Sequence, residues 1–252
     1  MDLTMCGLLV DRAERLARLY ATHSDWTDVE QTWFTERQSG RSTRDSARKV
    51  FRVLTERYQH ASSALPSITI LPDIFDACDT RKEKAQILYL YLLNDDPLVR
   101  YTIHDYVRQF DARGTETLEF DSPTVLETIQ SLRYADGGEV DYAESTLERW
   151  CEGFRSVLRE IGVLESQQTF QGTVPTVGRA PLLTAASYSW ERQGEGWLTQ
   201  PVGWLYLFQP EQMWEQLAKR VGEEPDWQFS EVRGEVRLRP EGKTYAWADD
   251  GA

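Results

Sequence analysis

The sequence predicts a mainly α-helical protein with a smaller, aromatic-rich α+β subdomain at its C-terminal end. Three observations predict it: apolar residues recur at helical spacing through the first two thirds, helix-start residues punctuate that region, and six of the nine tryptophans lie beyond residue 165. Glycine and proline are frequent in that last part, and two runs, Val202 to Phe208 and Glu231 to Arg239, have β-like character. The expected division is a helical region over 1–165, separable into a bundle over 1–110 and a second helical part over 120–165, followed by a C-terminal subdomain over 166–252.

Leu8, Leu9, Ala13, Leu16, Leu19 and Tyr20 keep one apolar face and predict an amphipathic first helix. Asp25 is placed to cap a second, bearing Trp26, Val29, Trp33 and Phe34. Ser42 followed by Asp45 resembles a capping box for a helix that buries Ala47, Val50, Phe51, Leu54 and Tyr58 and ends before Pro66. Arg81 to Leu93 predicts another helix. Asp96-Pro97 stops it and starts the next, reaching about Phe110, because Asp caps and proline is tolerated at the first helical position. Ser122-Pro123 repeats that signal for a helix through Leu132, and Asp136-Gly137-Gly138 marks a turn. Ser145 with Glu148 makes a second capping box, before a stripe of Leu147, Trp150, Cys151, Phe154, Val157, Leu158 and Ile161 that stops at Gly162. One helix, roughly Pro210 to Val221, is expected in the C-terminal subdomain.

Composition excludes several classes. The longest apolar run, Ile87 to Leu93, has seven residues, whereas a spanning helix needs roughly 20. Asp2 and the lack of a long apolar segment after a basic start argue against a secretory signal, so a cytoplasmic protein with no membrane partner is expected. Cys6, Cys78 and Cys151 are too far apart for a zinc site and odd in number for a disulfide framework. His23, His60 and His104 lack metal-ligand spacing, Gly194-x-Gly196 lacks a third glycine, and no phosphate-binding P-loop pattern occurs. Asp95-Asp96 could hold a divalent cation, but capping explains the pair more simply. No catalytic residue, cofactor, metal or small-molecule substrate is predicted.

Formal charge is −13, with 23 Arg and 5 Lys on the basic side. Such an excess opposes nucleic-acid binding unless a local exception exists. Between Arg37 and Tyr58, seven basic residues (Arg37, Arg41, Arg44, Arg48, Lys49, Arg52 and Arg57) meet only Asp45 and Glu56. At about 100° per residue, Arg41, Arg44, Arg48 and Arg52 fall on one stripe beside the apolar face. A row of guanidiniums can engage successive phosphates, and the amides and hydroxyls of Ser42 and Thr43 at the helix start favour an anion. A solvated face salt-bridged to the acidic remainder fits these residues equally well. Arg149, Arg155 and Arg159, on a helix that runs into Gly162-Val163-Leu164, form a second candidate with the outline of a recognition helix entering a wing. Trp197, Trp204 and Tyr206 could stack bases or pack a core, and Arg233, Arg237 and Arg239 alternate along a strand.

Three blocks in order resemble the BrxA family of BREX phage-defence systems: the Ser24-Asp25-Trp26 step after the first helix, the Arg41-Ser42-Thr43 start of the basic helix, and Ser145-Thr146 leading to Leu158-x-x-x-Gly162-Val163-Leu164. They span residues 5 to 165. The resemblance implies a fold similar to the RNA-binding antitermination factor NusB, DNA binding, no catalytic site and a role as an accessory component among other BREX proteins. The long aromatic segment after 165 and the acidity of the chain depart from that family. A duplex DNA binder that contacts backbone phosphates through Arg41, Ser42, Thr43, Arg44, Arg48, Lys49 and Arg52 is therefore expected. A BREX scaffold that docks an acidic partner, and an RNA binder like NusB, remain open.

Overall fold

A computed structural model of the 252-residue chain describes residues 7–113, 117–132, 140–232 and 234–251. Cys6, the turn expected at Asp136-Gly137-Gly138, and Arg233 lie outside them. The described residues are mainly helical, with two small antiparallel sheets.

Helix α1 (Val10–His23) buries Val10, Ala13, Leu16 and Ala17, and α2 (Trp26–Thr35) follows a two-residue turn in which Ser24 is left-handed. Asp25 caps α2 as expected, accepting from the amides of Thr27 (2.8 Å) and Asp28 (3.2 Å). Helix α3 (Arg44–Gln59) packs Val50, Leu54 and Tyr58 inward; the Tyr58 hydroxyl donates to the Ala13 carbonyl at 3.0 Å, pinning α3 across α1. The short α4 (Leu71–Asp76) has no counterpart in the predicted elements.

At the centre lies α5 (Arg81–Asp95), in which every residue from Ala85 to Leu93 is buried. A helix apolar on all sides requires neighbours on all sides. They are α1, α3, α6 (Pro97–Arg113), α8 (Glu144–Ile161), α9 (Arg179–Gln193) and α10 (Val202–Tyr206). Asp96 separates α5 from α6 and accepts from the amides of Leu98 (3.0 Å) and Val99 (3.2 Å), which is the capping role predicted for it. Helix α7 (Ser122–Ser131) packs on α8. Asp121, rather than Ser122, caps it through the Thr124 amide. Helix α8 has no side-chain cap: it begins one residue before Ser145, with Ala143 at the cap position, so the expected Ser145/Glu148 box does not form. Its end is as predicted, with Gly162 left-handed at φ 88°.

Two corrections concern the C-terminal part. The run from Val202 to Phe208 is not a strand but α10 and the turn after it, and α9, the most buried element there, was not anticipated. After α11 (Trp214–Gly222), the expected ribbon is a hairpin of β3 (Trp227–Val232) and β4 (Glu235–Pro240), with Phe229 opposite Leu238.

The chain is tied together across residue 165. Strand β1 (Thr117–Glu119) pairs with β2 (Gln171–Thr173), Leu118 facing Gly172. Gln86 of α5 donates to the carbonyls of both Ile161 and Thr176 at 3.0 Å. One apolar cluster includes Leu16, Leu88 and Phe154 together with Leu183, Trp204 and Leu217. No described helix is long and apolar enough to cross a membrane.

The α9–α10 crossing is set by one glycine. A Cβ on Gly203 would lie 2.1 Å from the Ala185 carbonyl oxygen, so the two backbones touch with nothing between them. Gly203→Ala should lower the unfolding midpoint, at a cost of about 1–3 kcal/mol from overpacking. Gly196→Ala, where no atom lies within 4 Å, should leave the midpoint in place; denaturant unfolding of the two variants measures the contrast.

Candidate nucleic-acid interface

The basic helix forms, but its start differs from expectation. Thr43, not Ser42, is the cap: its Oγ1 accepts from the Ser46 amide at 3.3 Å and donates to the Ser46 hydroxyl at 2.8 Å. The Ser42/Asp45 box is absent, and the Thr43 hydroxyl is committed to the helix instead of being offered to an anion. Ser42 is exposed.

Because α3 starts at Arg44, only Arg44, Arg48 and Arg52 form the helical stripe. All three are exposed on the side opposite Val50 and Leu54, and Lys49 is half-buried at its flank. Arg44 and Arg48 make no ion pair with a carboxylate among the described residues. Arg41 precedes the cap and belongs to another cluster. Together with Arg15 it faces Arg12, whose guanidinium is held below its ordinary range first by burial and then by the fields of Arg41 and Arg15. Arg12 and Arg15 escaped the sequence reading; the signal available was their spacing on the polar side of α1, outside the counted segment.

Arg57, counted among the seven basic residues, is fully buried. It donates to the carbonyls of Leu8 and Gly7, each at 3.2 Å, and so fastens the approach to α1 beneath α3. It contributes to folding and not to a ligand surface.

The second candidate does not assemble into one surface. Arg149 is exposed, but Arg155 donates to the Ser122 hydroxyl at 2.6 Å and lies over the Phe170 ring at 5.5 Å, and Arg159 is half-buried. Burial, followed by the neighbouring Arg155, depresses the Arg159 guanidinium. No strand begins at Val163; β2 starts at Gln171 and pairs with β1, so the expected wing is absent among the described residues.

The aromatic platform is also withdrawn. Trp197 and Trp204 have no exposed surface and meet edge to face at 5.0 Å, and the Trp197 indole donates to the Leu238 carbonyl at 2.9 Å. Neither can stack on a base. Arg239 donates to Gln228 at 2.8 and 2.7 Å, and Arg237 lies 3.4 Å from Glu235, so both have partners within the hairpin. Among the described residues, no group of three or more His, Cys, Asp or Glu side chains is placed to hold a metal ion.

Comparison of the chain with protein-family models, with curated proteins and with solved structures finds no match. The likeness to BrxA stands on its three sequence blocks.

Removal of the buried guanidinium tests the division of labour along α3. Arg57→Met strands the Gly7 and Leu8 carbonyls and should cost about 2 kcal/mol or more of folding stability. Chemical denaturation of the variant beside Arg44→Met, which should be near neutral, reads the difference.

Proposed function

We propose that the protein is a non-catalytic DNA-binding factor that holds duplex DNA through backbone phosphates, acting as an accessory component beside other proteins of a BREX-type defence system. One observation carries the proposal: Arg44 and Arg48 stand exposed and without carboxylate partners on a chain whose formal charge is −13. In an acidic protein, exposed guanidiniums on one helix face are the surface best suited to a polyanion. With Arg52 they recur at roughly one helical turn, about 5.4 Å, so consecutive phosphates can be met by consecutive side chains. Ser42 and Lys49 flank the row. Contacts of this kind position a duplex without reading its bases, so sequence preference is weak.

The test is Arg44→Glu/Arg48→Glu, with binding of a fluorescent duplex followed by anisotropy. The folded wild type should bind with a log–log salt slope of about −3 if roughly three phosphates are engaged. The double variant, with an unchanged melting curve, should lose binding. Duplex affinity retained in the variant, or none in the wild type at low salt, defeats the proposal. The second outcome would favour an acidic protein partner on the same face, and tighter binding of a competing RNA would favour the NusB-like alternative.

A further inference from the structure

A separate cleft of about 360 Å³ opens where the start of α1, the turn before α3 and the outer face of α8 meet. Arg12, Arg15 and Gly40 line one wall, and Gly153, Ser156 and Glu160 the other. The turn holding Gly40 is built from left-handed residues, Arg37 at φ 55° and Gly40 at φ 60°. This geometry presents the Ser39 carbonyl to Arg12 Nε at 2.6 Å and the Gln38 carbonyl to Arg15 Nη1 at 3.2 Å. Each guanidinium is thereby fixed by one bond, with most of its five N–H donors uncommitted. Arg41, next to Gly40 in the same turn, adds its positive field against Arg12. None of the three makes an ion pair among the described residues.

The carboxylates of the cleft are already occupied. Arg81 donates to Asp11 at 3.1 Å and lies 3.9 Å from Glu160, and Glu160 also accepts from the Leu8 amide at 3.1 Å. Three guanidiniums, those of Arg12, Arg15 and Arg81, therefore line the cleft beside two satisfied carboxylates. By contrast Arg18, one turn further along α1, is fully engaged by Glu14 and Asp76, as a purely structural arginine would be. The glycines leave room for more than a bare anion.

We infer that this cleft binds a phosphate monoester, held by Arg12 and Arg15 and drawn in by the added field of Arg41, whose sugar side lies against Gly153 and Ser156. A doubly charged terminal phosphate matches two guanidiniums in one cleft, with the field of a third beside them, better than the singly charged diester of an internal backbone position. The inference uses residues apart from the α3 stripe and stands or falls independently of it.

Calorimetry on the full chain tests it with two matched pairs: adenosine 5′-monophosphate against adenosine, and a short oligonucleotide with a 5′-phosphate against its 5′-hydroxyl form. The phosphorylated member of at least one pair should bind about tenfold tighter or more, as a charge-assisted contact set implies. Discrimination in the mononucleotide pair identifies a free nucleotide, and discrimination confined to the oligonucleotide pair identifies a strand end. Arg15→Gln/Arg41→Gln and the cleft-filling Ser156→Trp should abolish the preference, and Arg44→Glu/Arg48→Glu should retain it. Equal affinities within both pairs, or a preference that survives Arg15→Gln/Arg41→Gln, overturns the inference. Because Arg15 and Arg41 are exposed, that variant decides the matter even if Ser156→Trp fails to fold.

Discussion

Everything else in this fold depends on enclosing α5. Nine consecutive residues, Ala85 to Leu93, have almost no contact with water, and burial of the large aliphatic ones, Ile87, Leu88, Leu90, Leu92 and Leu93, supplies on the order of 1.5–3 kcal/mol each before conformational entropy is subtracted. No single partner can cover a cylinder, so the wall is assembled from both ends of the chain. Helices α1, α3 and α8 come from one side of residue 165, and α9 and α10 from the other. Gln86 makes this arrangement specific as well as apolar. One amide group reaches the carbonyls of Ile161 and Thr176, and a core that leaves either carbonyl without a donor is penalised.

The jacket explains which parts of the fold were legible. Helices α1, α3 and α8 each expose one face and bury the other, so periodicity reveals them directly. Helix α9 buries Ala180 to Ser189 without interruption and mixes small and polar residues, so neither amphipathic spacing nor a long apolar run marks it. In the same region Trp197 and Trp204 follow the core-packing reading of the sequence and not base stacking, joining Trp227 in an interior seam. Capping was legible at Asp25 and at Asp96, the latter marked by the proline that follows it. It was misplaced by one residue at Ser42-Thr43 and Asp121-Ser122, because only backbone geometry selects between neighbouring candidates.

The candidate interface was legible in part for a comparable reason. Charge counting finds the basic segment, and helical spacing correctly joins Arg44, Arg48 and Arg52. Counting cannot tell that Arg57 points inward to two carbonyls, nor that Arg41 leaves the helix axis and joins Arg12 and Arg15. Those facts arise from contacts across 27 to 50 residues of sequence, such as Arg57 with Gly7 and Arg12 with Ser39. The α8 arginines failed as a group because helix packing distributed them to different sides, placing Arg155 on Ser122 and Phe170.

Arg57 also makes α3 mechanically continuous with distant parts of the molecule. Its guanidinium grips the Gly7 and Leu8 carbonyls, and the Leu8 amide in turn is held by Glu160 of α8. A polar path thus runs from the buried side of the basic helix, through the Gly7 and Leu8 backbone, to the last turn of α8. The basic helix and α8 therefore share one anchor, the backbone of Gly7 and Leu8.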